Sequence, residues 1–339
     1  MKAKNIRRLI TIVLVAALFI IFSATADYFL NVRNITQMLR EAAYTGILAV
    51  GMSFVMVGGG IDLSLGGIVC ATGIICERFA NMGVPGIVVL FIGLAFGLGF
   101  GVINSFLVTK LHMTEFVATL SSGMVYSGLA IILAYRDSSS IISVRVTNDS
   151  VSAFGKAVGP FYWITIIWII VTVLAMVLQQ MTVFGKYNYA CGSNVKSAEM
   201  SGINCESIKR KGYLISGALS GVTAFLVLSN EGAATIYLGS GMEFQAIAAC
   251  VVGGIAMSGG RGDALGAALG ALFLAVLSNG LNKFGLASSW QYIYQGAIII
   301  IATAFDAFFQ VAMRERRKKV LPPPDKKPVE PKIDEWRAS

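Results

Sequence analysis

Ten apolar stretches of about 16–24 residues, separated by short polar turns, run along the chain; a helix needs ~20 such residues to cross about 30 Å of hydrocarbon. They lie near 6–26, 43–60, 62–80, 86–109, 114–134, 161–181, 213–230, 243–258, 264–282 and 290–311. The pattern predicts an all-α fold, a polytopic transmembrane helical bundle of about ten spans occupying residues 1–312. The stretches beginning at 43, 62, 243 and 264 are short and rich in glycine, so tilted or broken helices are expected there. Two polar segments interrupt the pattern, a Ser-rich one at 135–160 and a longer one at 182–211. Residues 313–339 carry Pro322, Pro323 and Pro324 among repeated Lys; they cannot bury enough apolar area to fold and read as a basic, disordered cytoplasmic tail.

Composition sharpens this picture. Of 339 residues, 56% are hydrophobic and 13% charged, with a mean hydropathy of +0.73. Soluble domains carry about 25% charged residues, so a soluble fold, a disordered chain and a disulfide scaffold are excluded together. Lys and Arg number 27 against 18 Asp and Glu. The basic residues sit at the ends of apolar runs rather than along an aromatic-spaced face, so the excess marks orientation in lipid and not a nucleic-acid partner. With the N-terminus inside and ten crossings, twenty of the 27 fall inside and seven outside, which places both termini in the cytoplasm. Lys2, Lys4, Arg7 and Arg8 before an apolar run and Ala24-Thr25-Ala26 resemble a signal peptide, but the many spans that follow favour retention as the first helix. The five cysteines have no CxxC spacing and read as small buried hydrophobes. His112 has no Glu or His four residues away, against a zinc site, and there is no phosphate-binding loop, HExxH or Gly-x-Ser-x-Gly elbow. Enzyme chemistry, a metal and a resident cofactor have no support.

Three elements carry the functional reading. At Gly58-Gly59-Gly60 consecutive glycines, each costing about 1 kcal/mol relative to Ala, should break the helix. Asp62 then reads as an N-cap of the next segment, beside Ser64; the alternative is a gating or coupling role, since a carboxylate at bilayer depth costs ~2.5–3.5 kcal/mol or more. In the inside loop Asn194 can cap a short helix from Val195 to Ser201, Gly202 can end it, and Asn204 can cap the next. Such a two-turn helix needs a surface to pack on, so it is either docked on a cytoplasmic partner or a solvated loop. Gly253 to Gly262, followed by Gly266 and Gly270, reads as close helix packing or as a hinge at Gly253-Gly254. The first and third elements echo each other: 56–64 and 251–258 share the Val-Gly-Gly pattern and a Ser, and each precedes a Gly-spaced helix with an Asn beside Ser, at Asn104-Ser105 and at Ser278-Asn279. Gly59, Asp62, Ser64, Asn104, Gly254, Ser258 and Asn279 are therefore the translocation and gating candidates. Ser121, Ser122, Asn282 and Gln295 are further polar residues within spans, placed to hold helices together or to line a path for a polyhydroxylated solute.

At these elements the chain resembles the membrane-spanning permease subunits of ATP-binding-cassette sugar importers of the ribose/xylose/galactose type. AVGMSFVMVGGGIDLSLGG (49–67), GVINSFLVTKLHMTEFVATLSSGMVYSGLA (101–130), CGSNVKSAEMSGINCESIK (191–209), EFQAIAACVVGGIAMSGGRGDALGAALGALFLAVLSNGLN (243–282) and SSWQYIYQGAIIIIATAFD (288–306) carry the resemblance in order. It implies that the inside loop seats on a cytoplasmic ATPase, through Gly192, Asn194, Ala198, Ser201, Gly202 and Ile203. It also implies ATP and Mg on that partner, an extracytoplasmic sugar-binding protein, a second permease copy, and import of a monosaccharide across the bacterial inner membrane. A same-superfamily permease for nucleosides or branched-chain amino acids, and an ion-coupled secondary transporter, are the alternatives.

Overall fold

In the computed structural model the described residues are 2–135, 143–286, 289–290, 292–301 and 303–304. The long helices are α1 (Lys2–Thr25), α2 (Val32–Val57), α3 (Leu65–Asn81), α4 (Gly86–Thr109) and α5 (Glu115–Ala134). A small cap follows, β1 (Ser143–Arg145), α6 (Asp149–Ser152), a 3-10 turn at Ala153–Gly155, β2 (Ala157–Val158) and β3 (Phe161–Tyr162). Then come α7 (Trp163–Met181), α8 (Val183–Ser193), α9 (Val195–Met200), α10 (Cys205–Glu231), β4 (Ala233–Thr235), α11 (Met242–Val252) and α12 (Ala264–Lys283). A last helix, α13, runs from Tyr292 to Ile301. The expected basic tail, 313–339, lies outside the described residues.

Each of the ten predicted stretches overlaps one helix where it is described, but ten spans do not follow from that. Among the described residues six helices are long and apolar enough to cross a membrane: α1 from Arg8, α4, α5, α7, α10 and α12. α2 is long but carries Arg33, Arg40 and Glu41 in its first half. α3 has 17 residues and α11 only 11, so at 1.5 Å per residue they rise about 26 and 16 Å. These short helices belong to the Gly-rich segments for which breaks were predicted.

Burial follows from lipid replacing water as the outer solvent. α1, α4, α5 and α7 turn Ile, Leu, Val and Phe outward, including Ile20, Phe91, Met124 and Leu174. The second half of α2, α3 and most of α10 are enclosed, and Ile47, Met52, Phe54, Ile68 and Phe225 are fully buried. α10 can lie at the centre because its contact with α4 is backbone to backbone. Gly93 and Gly97 face Gly217 and Gly221 at helical spacing, and a Cβ on Gly97 or Gly221 would overlap a carbonyl oxygen of the opposite helix. The same device joins α11 to α12, where Gly253 packs on Gly266 and Gly270 on the Ala249 carbonyl. The small residues after Gly262 thus pack helices, as the first of their two readings held.

The strands modify the all-α expectation only outside the bundle. β1 pairs antiparallel with β4 (Ser143 with Thr235, Arg145 with Ala233), and β2 with β3. The polar segment 135–160 is therefore, where described, a compact cap tied to α3. The Asn81 side chain donates to the Arg145 carbonyl and accepts from Thr147, and Asn148 donates to the Ala80 and Val84 carbonyls.

Candidate coupling and translocation site

The hairpin α8–α9–α10 is built by its caps. Asn194 Oδ1 accepts the Ser197 amide at 3.0 Å and starts α9; Asn204 Oδ1 accepts the Ser207 amide at 2.8 Å and starts α10. Between them Gly202 takes φ +80°, and the Ile203 amide returns to the Ala198 carbonyl at 3.1 Å, a left-handed helix stop that only glycine adopts cheaply. Ser201 closes the last turn through its hydroxyl to the Ser197 carbonyl, and stays exposed with Gly202. Ala198 faces inward onto Cys191, Cys205 and Ile208, with Ile203 packed at the edge. Cys191 and Cys205 form a disulfide across the hairpin, with Cα atoms 5.5 Å apart. That corrects the reading of all five cysteines as simple hydrophobes. Spacing gave no hint of it, because residues 14 apart in sequence are brought together by the two caps. Cys70, Cys76 and Cys250 are free and buried, as expected.

The hairpin sits under both broken helices. α2 ends with Gly58 at φ −71°, Gly59 at φ +83° and the Gly60 amide on the Val55 carbonyl (2.9 Å). α11 ends the same way, with Gly253 at φ −69°, Gly254 at φ +81° and the Ile255 amide on the Cys250 carbonyl (2.9 Å). The internal echo in the sequence is thus a repeated backbone device: helix, left-handed stop, short loop, helix. The first stop and the loop that follows the second converge on the hairpin. Gly260 N donates to the Val57 carbonyl at 2.8 Å, and a Cβ on Gly259 would stand 2.7 Å from Gly59 Cα. Gly192, at the end of α8, fills the remaining space; a Cβ there would overlap the Val57 carbonyl oxygen and lie 2.7 Å from Gly260 N. Three chain segments meet nearly backbone to backbone, with the Ser193 hydroxyl beside Gly260. Asn188 of α8 adds a hydrogen bond to the Phe54 carbonyl at 2.9 Å. Gln179 of α7 bridges Ser53 of α2 to the Ala264 amide that opens α12, at 2.9 and 2.7 Å. Ser258 lies exposed on the turn between the two glycine pairs.

Beside this junction is a buried polar network. Asp62 was read as an N-cap, and the structure corrects that. The N-cap position of α3 is Ser64, which makes no side-chain cap bond. Asp62 is fully buried instead: Oδ1 accepts the Ser64 amide (3.1 Å) and hydroxyl (2.6 Å), and Oδ2 accepts the Ser216 hydroxyl of α10 (2.8 Å). Asn104 of α4 donates to Ser64 Oγ at 2.6 Å and accepts from Ser122 and Tyr126 of α5 at 2.7 and 2.9 Å. The Leu63 amide donates to Thr119 Oγ1, and the Tyr213 hydroxyl to the Ile61 carbonyl. A carboxylate in a bilayer is tolerated where such donors surround it. The loop between α2 and α3 is thereby tied to three other helices. Ser216, Thr119, Tyr126 and Tyr213 were missed in the sequence because a lone hydroxyl in a span has no local signature.

Ion pairs hold the rim. Lys209 meets Glu115 at 2.7 Å, and Glu206 meets Lys110 at 2.9 Å and Arg210 at 3.6 Å, binding the α4–α5 turn to the start of α10. Arg8 meets Asp263 at 2.5 Å. Asn279 is remote from this end: it exchanges two hydrogen bonds with Asn34, at 2.9 and 3.1 Å, fastening α12 to α2 at the far face.

A helical bundle with two discontinuous helices seated on a capped hairpin has the parts of a membrane transport subunit. Residues 34–303 match the family described as the branched-chain amino acid transport system permease component. The chain is 36% identical to the ribose import permease RbsC of Bacillus subtilis over 292 residues, covering 85% of this chain and 89% of that one. It is 30% identical to RbsC of Escherichia coli K12 (87% and 92% covered) and 28% identical to the xylose transport system permease XylH of Haemophilus influenzae (90% and 97% covered). No solved structure matches. The chain belongs to this permease family. It is a multi-pass inner-membrane protein and a transport subunit rather than an enzyme.

Proposed function

We propose that this chain is the permease of an ATP-binding-cassette importer for a monosaccharide of the ribose or xylose type. ATP and Mg are bound by a separate cytoplasmic ATPase that seats on the α8–α9–α10 hairpin, with Asn194, Ser201, Gly202 and Ile203 shaping the contact and Gly192 and Ala198 holding it to the bundle. An extracytoplasmic sugar-binding protein delivers the solute to the opposite face, and a second permease copy completes the pathway. The hairpin and both termini lie in the cytoplasm, and the ten helical segments cross or enter the bilayer with residues 313–339 as a basic tail.

One observation supports the mechanism: the hairpin touches the backbone of the first helix stop at Val57–Gly59 and of the loop after the second stop at Gly259–Gly260. A push on it meets the end of α2 directly and reaches the loop joining α11 to α12 at Gly259 and Gly260. Alternating access needs two packings of similar free energy that partners bias differently, and paired left-handed stops supply the pivots. The test is to purify the chain from its host under mild detergent, identify a co-purifying ATPase, and screen the accompanying binding protein by thermal shift. Stabilisation by D-ribose or D-xylose, and not by leucine or a nucleoside, is the expected result; stabilisation by leucine or a nucleoside alone moves the chain to the alternative substrates of its family.

A further inference from the structure

The Cys191–Cys205 disulfide lies in the hairpin assigned to the cytoplasm. That compartment keeps thiols reduced, and the disulfides found there are mostly transient, catalytic or redox-sensing. The place of this one in the fold is specific. Cys191 is in the last turn of α8, directly before Gly192, which meets the Val57 carbonyl and Gly260 N at the junction. Cys205 is the first residue of α10, the enclosed central helix. The bond therefore ties the junction residue to the start of α10 and bypasses α9, which lies between the two sulfurs in sequence. The hairpin does not depend on the bond for its shape. Asn194 and Asn204 cap α9 and α10, and Ala198, Ile203, Ile208 and Phe184 pack around the sulfur pair. The reduced and the oxidised hairpin can both fold.

Access to the two sulfurs is unequal. A cavity of about 480 Å³ opens between the α4–α5 turn, α9 and the first turns of α10. Its wall includes His112, Glu115, Glu199, Lys209 and Cys205. The volume lies within the ~300–1,000 Å³ of small-molecule sites. Cys191 is not part of that wall and is fully buried. A reagent from the cytosol thus meets Cys205 first, with Cys191 behind it. The other three thiols, Cys70, Cys76 and Cys250, are buried within α3 and α11 and do not compete.

We propose that Cys191 and Cys205 form a reversible thiol–disulfide switch on the coupling hairpin, set by small disulfides and thiols of the glutathione class, and that the bonded form seen here is its locked state. The inference rests on the proposed function, which makes the hairpin the cytoplasmic coupling element. In the oxidising direction the Cys205 thiolate attacks one sulfur of the small disulfide, forming a mixed disulfide and releasing one small thiol. The Cys191 thiolate then attacks the Cys205 sulfur, closing the protein bond and releasing the second small thiol. Two protein thiols are oxidised, one small disulfide is reduced to two thiols, and the two protons leave on them. Reduction runs the same exchanges backward. In the reduced hairpin a push on α9 can shift Gly192 relative to α10. The bond fixes Gly192 to the central helix, so the same push no longer moves the junction.

The experiment uses the assembled importer, with its ATPase and binding protein, in lipid nanodiscs that leave both faces open. It is equilibrated in reduced or in oxidised glutathione. Permease thiols are counted by the gel shift of a maleimide polymer, beside ATP hydrolysis stimulated by the loaded binding protein. In oxidised glutathione the wild type is expected to lose two thiols and about tenfold or more of its stimulated hydrolysis, within what closing a loop of this length supplies, and to regain both in reduced glutathione. Cys191→Ser should trap glutathione on Cys205, whereas Cys205→Ser should trap none on Cys191. The double variant should hydrolyse ATP within about twofold of the reduced wild type in either buffer. Stimulated hydrolysis that stays within about twofold while the bond forms and breaks overturns the switch. So does a bond that never forms in oxidised glutathione, one that reduced glutathione never opens, or a double variant inhibited as strongly as the wild type, which places the sensitive thiol on a partner. If the double variant fails to assemble, reversal in the wild type together with the trapping in Cys191→Ser decides. A wild type whose hydrolysis ignores the loaded binding protein in both buffers overturns the proposed function and the switch with it, an outcome distinct from a coupled importer indifferent to its redox state.

Discussion

Replacing Gly192 by Ala is the sharpest perturbation of the junction. The added Cβ would overlap the Val57 carbonyl oxygen and stand 2.7 Å from Gly260 N, and these two atoms are themselves joined by a 2.8 Å hydrogen bond. To restore contact distances of about 3.5 Å the backbones must part by on the order of 1 Å. Neither neighbour is the free end of a side chain, so the strain is not relieved by a rotamer change. Overpacking of this kind costs about 2–3 kcal/mol, and if it falls on one of two packings it displaces their equilibrium by roughly 30- to 150-fold. Uptake of labelled ribose by the assembled importer should then be lost while the chain still inserts, and ATP hydrolysis should no longer respond to the loaded binding protein. Gly99→Ala is the control, because nothing lies within 4 Å of its position on α4. A Gly192→Ala importer with wild-type uptake and wild-type stimulation of hydrolysis would refute direct backbone transmission through the junction.

Four further outcomes follow from the same contacts. Gly202→Val meets no neighbour but must hold φ +80°, at a cost of about 1–2 kcal/mol; uptake should fail while the amount of chain in the membrane, read by immunoblot, stays normal. Asp62→Ala strands the Ser64 and Ser216 hydroxyls and should lower the melting temperature of the detergent-purified chain well below that of Asp62→Asn, each orphaned group costing about 1–3 kcal/mol. Asn34→Ala and Asn279→Ala remove the same reciprocal pair, so the double variant should be no less stable than the worse single one to within about 0.5 kcal/mol in a denaturation cycle. Gly97→Leu drives a side chain into the α10 backbone at Gly217 and should abolish accumulation of folded chain, measured by fluorescence-detected size exclusion.

How far the sequence revealed this molecule depended on the range of the signal. Hydrophobic length placed the six helices long enough to cross a membrane, because burying about twenty apolar residues in lipid is a local property of the chain. Asn194, Gly202 and Asn204 were legible for the same reason: caps act within three or four residues, and the structure shows the expected hydrogen bonds with α9 ending at Met200, one residue early. The two glycine stops were visible as an echo, and their matching backbone angles give it a physical content. Asp62 was misread because an N-cap and a long-range ligand look alike locally; only the approach of Ser216, 154 positions away, decides. The Cys191–Cys205 pair, the Gln179 bridge and the cavity wall drew on segments distant in sequence for the same reason. Glycine itself gave an ambiguous signal, since Gly97 marks a helix contact and Gly192 the meeting of three loops, yet both are simply small residues in the sequence.

The account makes the bundle passive and places the motor outside it. Reconstituting the purified chain in sealed liposomes, with and without its ATPase, its binding protein and ATP, measures that directly through accumulation of labelled pentose. Accumulation against a gradient only when all three are added is the result expected. Accumulation by the chain alone, powered by an imposed proton or sodium gradient, would contradict it.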